Sequence, residues 1–335
     1  PEEEANRPDD TPRVERNRSE VQNVAGDVGK HCLGAIPLHP WGVVGAIGFF
    51  LWDWMTTRQA RRLGYDLREL RALQIWGSLV GAVFAHVLDV LFYAPEELLT
   101  RPWSIFFLWE RLSSMGGFIG CVVGGVIWKF VRWEWRGGLP RLVRRPRPLP
   151  LLPMADVIVS TLPLGFTVGR AACALVHDHP GIAAPPTELF AVAFPTGPDD
   201  GLVAIYGPIR IFHGSAPRYD LGLLECLYLG VVAAVIGVYW LRRARPAMGM
   251  FIAGVCIAYA PVRFGLDFLR ASEDQAGDRR LSGLTFAQWT CLALLGFGVF
   301  MIGHARRLSR SGIDAAAPIY RQPDNPPLAA AGGSQ

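Results

Sequence analysis

The 335-residue chain is 51% hydrophobic, 19% of its residues are charged, and its formal net charge is +4. A soluble globular domain usually carries about 25% charged residues, and the apolar residues here occur in long blocks, which disfavours a soluble protein with buried core helices. The small positive charge is concentrated in loops between those blocks, so it indicates membrane topology rather than nucleic-acid binding.

Residues 1–30 are polar and acidic and contain no apolar stretch of the signal-peptide kind, so we expect a disordered N-terminal arm and no cleavable signal. Seven apolar blocks follow, each close to the roughly 20 residues that a spanning helix needs. They cover residues 41–57, 72–94, 115–131, 149–175, 221–241, 247–269 and 284–303. The sequence therefore predicts an all-α membrane protein with about seven transmembrane helices in one domain, residues 31–305. We expect residues 306–335 to form a disordered tail.

Basic residues alternate from loop to loop. Arginines are concentrated in residues 58–71, 129–147, 242–245 and 306–310, whereas residues 95–102 and 176–216 are poor in them. The positive-inside rule then places the N-terminus outside and the C-terminus in the cytoplasm. The long loop 176–217, between the fourth and fifth helices, contains β-like pieces at 202–206 and 209–213, which predicts a small folded head on the outer face.

Several ionisable residues fall inside or at the ends of apolar blocks, where each costs at least about 2.5–3.5 kcal/mol unless it faces a cavity or a partner. Arg170 ends the fourth block, and Arg263 and Asp267 lie four residues apart in the sixth, where a structural ion pair is the alternative to a functional role. His86 and Asp89 lie three apart in the second block, where a satisfied polar pair is equally plausible. The remaining members of this set are Arg218, Asp220, Glu225 and Arg270.

An arginine cluster at headgroup depth suits the phosphate of a lipid, because the guanidinium binds phosphate bidentately and stabilises charge on a leaving phosphate. From the residues alone we infer a protein that binds or cleaves an anionic phospholipid. Gly116, Gly120 and Gly124 recur every fourth residue, which favours close helix packing over headgroup contact. The cysteines lie mostly in apolar blocks without a C-x-x-C pair, so we expect packing thiols and no metal site.

Four segments, in this order, resemble the prolipoprotein diacylglyceryl transferase family. The family signature G-R-x-x-N-F-x-N-x-E-x-x-G is similar to residues 169–181, where Arg170 and both end glycines match, Asp178 stands for the Glu, and Cys173 and Val176 replace two asparagines. R-H-P-S-Q-L-Y-E resembles residues 218–225. Y-G-x-x-R-F-x-x-E-F-x-R-x-x-D resembles residues 259–274, and G-L-T-x-x-Q matches residues 283–288.

This resemblance, over residues 33–305, implies a seven-helix bundle with a periplasmic head in a bacterial inner membrane. The implied reaction moves a diacylglyceryl group from phosphatidylglycerol to the thiol of a lipobox cysteine and releases glycerol phosphate. The implied partners are phosphatidylglycerol, prolipoprotein signal peptides and the bilayer, with a monomer and no cofactor expected. Arg170 and Arg263 would hold the phosphate, with Arg218 and Arg270 as supporting charge. The orienting acids would be Asp178, Glu225 and Asp267, and Gly116 and Gly117 are further candidate phospholipid contacts.

Three further positions depart from the family pattern. Met115 occupies the histidine position of the family H-G-G segment, Trp41 replaces a tyrosine, and His86 replaces an arginine. Because the family histidine is a proposed base, we hypothesise that His86, oriented by Asp89, or else His177, deprotonates the thiol. His177 and His179 both lie beside the arginine motif. The predicted catalytic set is therefore His86, Asp89, His177 and Arg263. The alternatives are an inactive paralogue that binds phospholipid or lipoprotein precursors, and a transporter.

Overall fold

The computed structural model describes residues 40–108, 112–176, 179–185, 187–192, 196–197, 202–206, 209–213, 217–242, 246–270 and 280–311. The predicted N-terminal arm, and all but the first residues of the predicted tail, lie outside the described residues. His177 and Asp178 also lie outside them.

Helices make up most of the described chain, as the apolar blocks predict. They are α1 (Pro40–Leu63), α2 (Leu67–Tyr93), α3 (Pro95–Thr100), α4 (Ser114–Phe130), α5 (Leu152–Val176), α6 (Leu221–Leu241), α7 (Met250–Leu266) and α8 (Phe286–Arg310), with 3-10 turns at Pro102–Phe106 and Asp267–Leu269. Helix α8 continues past the predicted boundary at residue 305, and Arg307 and Arg310 in its last turn favour this extension by complementing the helix dipole.

Within the described ranges, five helices are long and apolar enough to cross a membrane: α2, α5, α6, α7 with its 3-10 turn, and α8. The predicted membrane-protein class is confirmed at that level, whereas the count of seven spans stays a prediction. The other two apolar blocks are also helical. Helix α1 carries Asp53, Arg58 and Arg61 in its second half, and α4 is only 17 residues long.

Short strands lie between the helices. Strands β1 (Val131–Arg136) and β2 (Leu139–Arg144) form an antiparallel hairpin where the sequence indicated only a basic loop. Gly137 and Gly138, both at positive φ, make the tight turn that closes this hairpin. The segment 180–220 contains β3 (Pro180–Ala183), β4 (Ala191–Val192), β5 (Thr196–Gly197), β6 (Leu202–Tyr206), β7 (Ile209–His213) and β8 (Arg218–Asp220). They form two sheets, β3-β8-β4 and β5-β7-β6, and β6 and β7 confirm the two predicted β-like pieces. Strands β9 (Arg280–Leu281) and β10 (Leu284–Thr285) pair before α8.

Two compact units can be distinguished. The head unit consists of the described parts of residues 1–47, 168–227 and 269–277, and it contains the strands β3 to β8. The bundle unit consists of the described parts of residues 48–167, 228–268 and 278–335, and it contains α2, α4, α7 and α8. Each unit is described by itself below.

In the bundle unit, α2 and α4 pack with their backbones in contact along the predicted glycine face. A Cβ atom added to Gly124 would lie 2.5 Å from the carbonyl oxygen of Trp76, and one on Gly120 would lie 2.6 Å from the side chain of Phe84. Gly116 is equally close to the carbonyl oxygen of Phe84, at 2.6 Å. The expected small-residue packing is therefore confirmed. Gly117 has room, since its Cβ would lie 3.8 Å from the nearest atom.

A buried arginine joins the β2 end of the bundle unit to α2. Arg145 donates to both carboxylate oxygens of Glu69, with N···O distances of 3.0 and 2.7 Å, and to the carbonyl oxygen of Trp128 at 3.0 Å. Its side chain is 7% exposed. This bidentate pair is the strong form of an arginine–carboxylate contact, and it lies next to an apolar core built around Leu70, Trp128 and Met154.

The glycine face gives a stability prediction. We expect Gly124→Ala to lower the free energy of unfolding by about 1–3 kcal/mol, because the methyl group meets backbone atoms that cannot move aside without separating α2 from α4. Gly117→Ala is the matched control, and it should be neutral or slightly stabilising because alanine favours a helix. Denaturant titration of both variants in detergent measures the difference, and equal effects would contradict it.

Candidate functional site

The head unit contains a buried ion pair between α5 and α6. Arg170, near the end of α5, and Glu225, in the first turns of α6, lie 2.7 Å apart between Nη2 and Oε2. The two residues are 4% and 3% exposed. The structure thus brings the predicted phosphate ligand and one of its predicted orienting acids together. A charged pair this deeply buried is stable only when both partners are present.

His179 and Cys173 complete the surroundings of Arg170. The Nη1 atom of Arg170 lies 3.0 Å from Nε2 of His179 and 3.6 Å from the sulfur of Cys173. A guanidinium can only donate, so Nε2 of His179 accepts and the neutral ring carries its proton on Nδ1. The indole of Trp41 donates to the same sulfur at 3.4 Å. His179 was not in the predicted set; its only sequence signal is that it lies two positions after His177.

Arg218 and Arg270 both meet the backbone at Gly181. The Nη1 atom of Arg218 donates to the Gly181 carbonyl oxygen at 3.0 Å, and Gly181 forms an antiparallel bridge with Arg270. A Cβ atom on Gly181 would lie 2.7 Å from the carbonyl oxygen of Tyr219 and 2.8 Å from that of Leu269, so only glycine fits. Burial lowers the pKa of the Arg218 guanidinium below its usual value, which for arginine is high enough that the side chain stays charged.

In the bundle unit, Arg263 is held by a network at the end of α7. It donates to Asp267, one turn later, and Asp267 also accepts from the hydroxyl of Thr285. Thr285 is the N-cap of α8: its hydroxyl accepts from the backbone N–H of Gln288 at 3.1 Å, and the Gln288 side chain accepts from the Thr285 N–H at 3.0 Å. This reciprocal capping box fixes the hydroxyl that faces Asp267. Thr285 and Gln288 belong to the G-L-T-x-x-Q match, but the sequence suggested no role for them.

His86 and Asp89 are both buried in α2, at 0% and 9% exposed. The ring nitrogen Nε2 of His86 lies 2.9 Å from the carbonyl oxygen of Ser104. A carbonyl oxygen only accepts, so Nε2 carries the proton and only Nδ1 could take up another. Met115, at the position of the family histidine, is 1% exposed and packs with Leu229 and Tyr259 in an apolar cluster.

No group of three or more potential metal-ligating side chains occurs among the described residues. The cysteines that the structure describes, Cys121, Cys173, Cys226, Cys256 and Cys291, are all free thiols.

The sequence was compared with models of known protein families, and the model of the family described as "Prolipoprotein diacylglyceryl transferase" matches residues 30–303. The chain belongs to the prolipoprotein diacylglyceryl transferase family. Similar proteins named "Phosphatidylglycerol--prolipoprotein diacylglyceryl transferase" include one from Chromohalobacter salexigens, 27% identical over 82% of this chain and 91% of its own length. One from Escherichia coli is 26% identical over 83% of this chain and 92% of its own length, and one from Shigella boydii has the same values.

In this member of the prolipoprotein diacylglyceryl transferase family, two of the family motifs contain a guanidinium that is fixed by a carboxylate. Arg170 is fixed by Glu225, from the next motif, and Arg263 by Asp267, from its own. A guanidinium has five N–H groups in a planar arrangement, and in both pairs the carboxylate already fixes the orientation of that plane. Chemically, each arrangement can bind an oxyanion without first having to be ordered.

The capping box gives a prediction on the Arg263 network. We expect Thr285→Val to lower the free energy of unfolding by about 2 kcal/mol, because it removes the N-cap of α8 and leaves a buried carboxylate oxygen without its donor. Thr285→Ser should retain most of the stability. Thr290→Val, which removes only a bond to the Phe286 carbonyl oxygen one turn earlier, is the control and should change it by less than about 0.5 kcal/mol. A loss in Thr285→Ser as large as in Thr285→Val, in urea titrations, would contradict a role for the hydroxyl.

Proposed function

We propose that this protein transfers the diacylglyceryl group of phosphatidylglycerol to the thiol of a lipobox cysteine in a prolipoprotein. The observation that carries the proposal is the buried Arg170, which Glu225 holds in a fixed orientation inside the family's arginine motif. Membership of the family and the names of its relatives support the same reaction. We further propose that it works as a monomer in the bacterial inner membrane, with its head on the periplasmic side.

In the proposed reaction, the cysteine sulfur attacks the carbon of the diacylglyceryl group that is bonded to a phosphate oxygen. A carbon–sulfur bond forms as that carbon–oxygen bond breaks, and glycerol phosphate leaves with the bonding electrons. Two demands follow: the thiol must lose its proton, because the thiolate is the nucleophile, and the leaving phosphate must be stabilised as negative charge develops on it.

Arg170 meets the second demand in this proposal. Its carboxylate partner Glu225 holds the guanidinium in one orientation at 4% exposure, so little reorganisation is needed when the phosphate arrives. Arg263, fixed by Asp267, is proposed as a second phospholipid-binding residue, and Arg218 and Arg270 as supporting charge near Gly181. Gly117, which has space for a neighbouring atom, is a better candidate lipid contact than Gly116, which already packs on Phe84.

The first demand needs a base, and three histidines are candidates. The sequence suggests two of them: His86, oriented by Asp89, and His177. His86 would have to take the proton at Nδ1, because Nε2 is bonded to a carbonyl oxygen, and the substrate thiol would have to reach its buried ring. His179 is a third candidate. Its Nε2 accepts a hydrogen bond from Nη1 of Arg170. We propose that the phosphate, once bound, accepts this Arg170 N–H instead, and that Nε2 of His179 can then accept the thiol proton.

A second function has one observation in its favour. Met115 is fully packed in an apolar cluster at the position of the family histidine, which is what a paralogue that binds phospholipid or lipoprotein precursors without transfer would show. Complementation of a bacterium depleted of its own transferase separates the two functions. Growth with normal lipoprotein processing supports the transferase, and failure of a well-expressed protein supports the binding function.

The role of Arg170 gives a kinetic prediction. We expect Arg170→Lys to lower kcat/KM for transfer to a lipobox peptide by about 100-fold, because an ammonium cannot replace the bidentate guanidinium on a developing phosphate charge. Arg145→Lys is the matched control, since Arg145 is also buried and paired with a carboxylate but belongs to no arginine motif of the family. The control should stay within about threefold of the unaltered protein. Equal losses in both variants, measured per folded molecule, would contradict the proposal.

The base is tested with His86→Gln, His177→Gln and His179→Gln. Glutamine retains both a hydrogen-bond donor and an acceptor but cannot take up the proton. The variant that lacks the base should lose about 100-fold or more in the rate of transfer and should lose the dependence on pH between about 5 and 8 that a histidine gives. Full activity in all three variants and in the triple variant would rule out a histidine base.

A further inference from the structure

A cavity of about 480 Å³ lies where α1 ends and α2 begins, in the bundle unit. It shares no residue with the proposed transferase site. Its lining combines one acid, an aromatic ring, a hydroxyl and four arginines: Asp53, Trp54, Thr57, Arg58, Arg61, Arg62 and Arg71. Its four arginines belong to the basic segment 58–71 between the first and second apolar blocks of the sequence.

The charge of the lining is strongly positive and largely uncompensated. Asp53 is already engaged, by Arg71 at 3.2 Å and by the side-chain amide of Gln74 at 3.1 Å. Arg58, Arg61 and Arg62 are exposed and, among the described residues, have no carboxylate within salt-bridge distance. Three guanidinium groups are therefore available to an anion that enters the cavity.

Thr57 provides a separate indication that a ligand belongs there. Its residue is 8% exposed, and within the described part of the chain its hydroxyl oxygen has no hydrogen-bond partner although it is buried. A buried hydroxyl without a partner costs stability. An anionic oxygen in the cavity would accept from this hydroxyl and remove that cost, because Thr57 lines the same cavity as the arginines.

Trp54 favours a lipid as the source of that anion. The indole is 53% exposed, and the guanidinium of Arg58 lies 5.5 Å from its ring centroid. Exposed tryptophan beside arginine is typical of the membrane interface, where the ring lies at headgroup level and the cation meets the phosphate. A soluble phosphate would use the arginines but would gain nothing from the exposed ring.

We propose that this cavity binds the phosphate of an acidic phospholipid headgroup, on the membrane face that carries the basic loops. Arg58, Arg61 and Arg62 neutralise the phosphate, and the Thr57 hydroxyl donates a hydrogen bond to it. The exposed face of Trp54 packs along the glycerol and upper acyl chain. The proposal is independent of the transferase reaction and would stand if that proposal failed.

The test uses the full-length protein in phosphatidylcholine nanodiscs with a short-chain phosphatidic acid that carries a photoreactive group near its glycerol. Labelled peptides are then mapped by mass spectrometry. We expect labelling within residues 52–71 that excess phosphatidylcholine does not displace. The triple variant Arg58→Gln, Arg61→Gln, Arg62→Gln should lower this labelling about tenfold. Thr57→Val should lower it about threefold, and Thr57→Ser should restore it.

The matched control is the triple variant Arg306→Gln, Arg307→Gln, Arg310→Gln, which removes three exposed arginines from the end of α8 and should leave the labelling of residues 52–71 unchanged. An equal loss in that control would show only general attraction to a basic surface and would overturn the site. Full competition by inorganic phosphate, at concentrations equal to the lipid, would overturn the lipid source. Labelling at other peptides but not at residues 52–71 would overturn both the site and the assignment of a lipid to it.

Discussion

A guanidinium buried among apolar side chains needs a carboxylate beside it, and this requirement governs how the segments that carry it are arranged. Arg145, Arg170 and Arg263 are each 7% exposed or less in the side chain, and each is paired with a carboxylate. Removing one partner of such a pair typically costs about 3–5 kcal/mol. Helices α5 and α6 therefore have to meet in the register that places Glu225 beside Arg170. Helices α7 and α8 have to meet in the register that places the Thr285 hydroxyl beside Asp267.

Hydropathy and local spacing predict the parts of this arrangement that depend on neighbouring residues. The apolar blocks locate the helices, alternating β-formers locate β6 and β7, and the four-residue spacing of Arg263 and Asp267 predicts their ion pair. The contacts of His179 with Arg170, and of Thr285 with Asp267, join segments that are distant in the sequence. These contacts depend on how the segments pack, so residue spacing and composition cannot predict them. The β1–β2 hairpin was not predicted for another reason: its arginines indicated a basic loop, although apolar and charged residues alternate along β1.

Two of the substitutions that set this chain apart from its family motifs are in contact with each other. Cys173 replaces an asparagine of the arginine motif, and its sulfur lies beside Arg170 and accepts from Trp41, itself at a position where the family has tyrosine. A weak sulfur acceptor takes less of the guanidinium's donor capacity than an amide oxygen does. In the bundle unit, Met115 adds to the apolar core where the family has a histidine.

The glycine face of α4 has a consequence for how the protein is made. At 17 residues this helix is only about 25 Å long, shorter than the roughly 30 Å hydrocarbon layer. Three of its turns have bare backbone where Gly116, Gly120 and Gly124 lie against α2. Helix α2, which is long and apolar enough to cross a membrane, precedes α4 in the chain. Synthesis in chain order therefore makes the helix on which α4 packs before α4 itself.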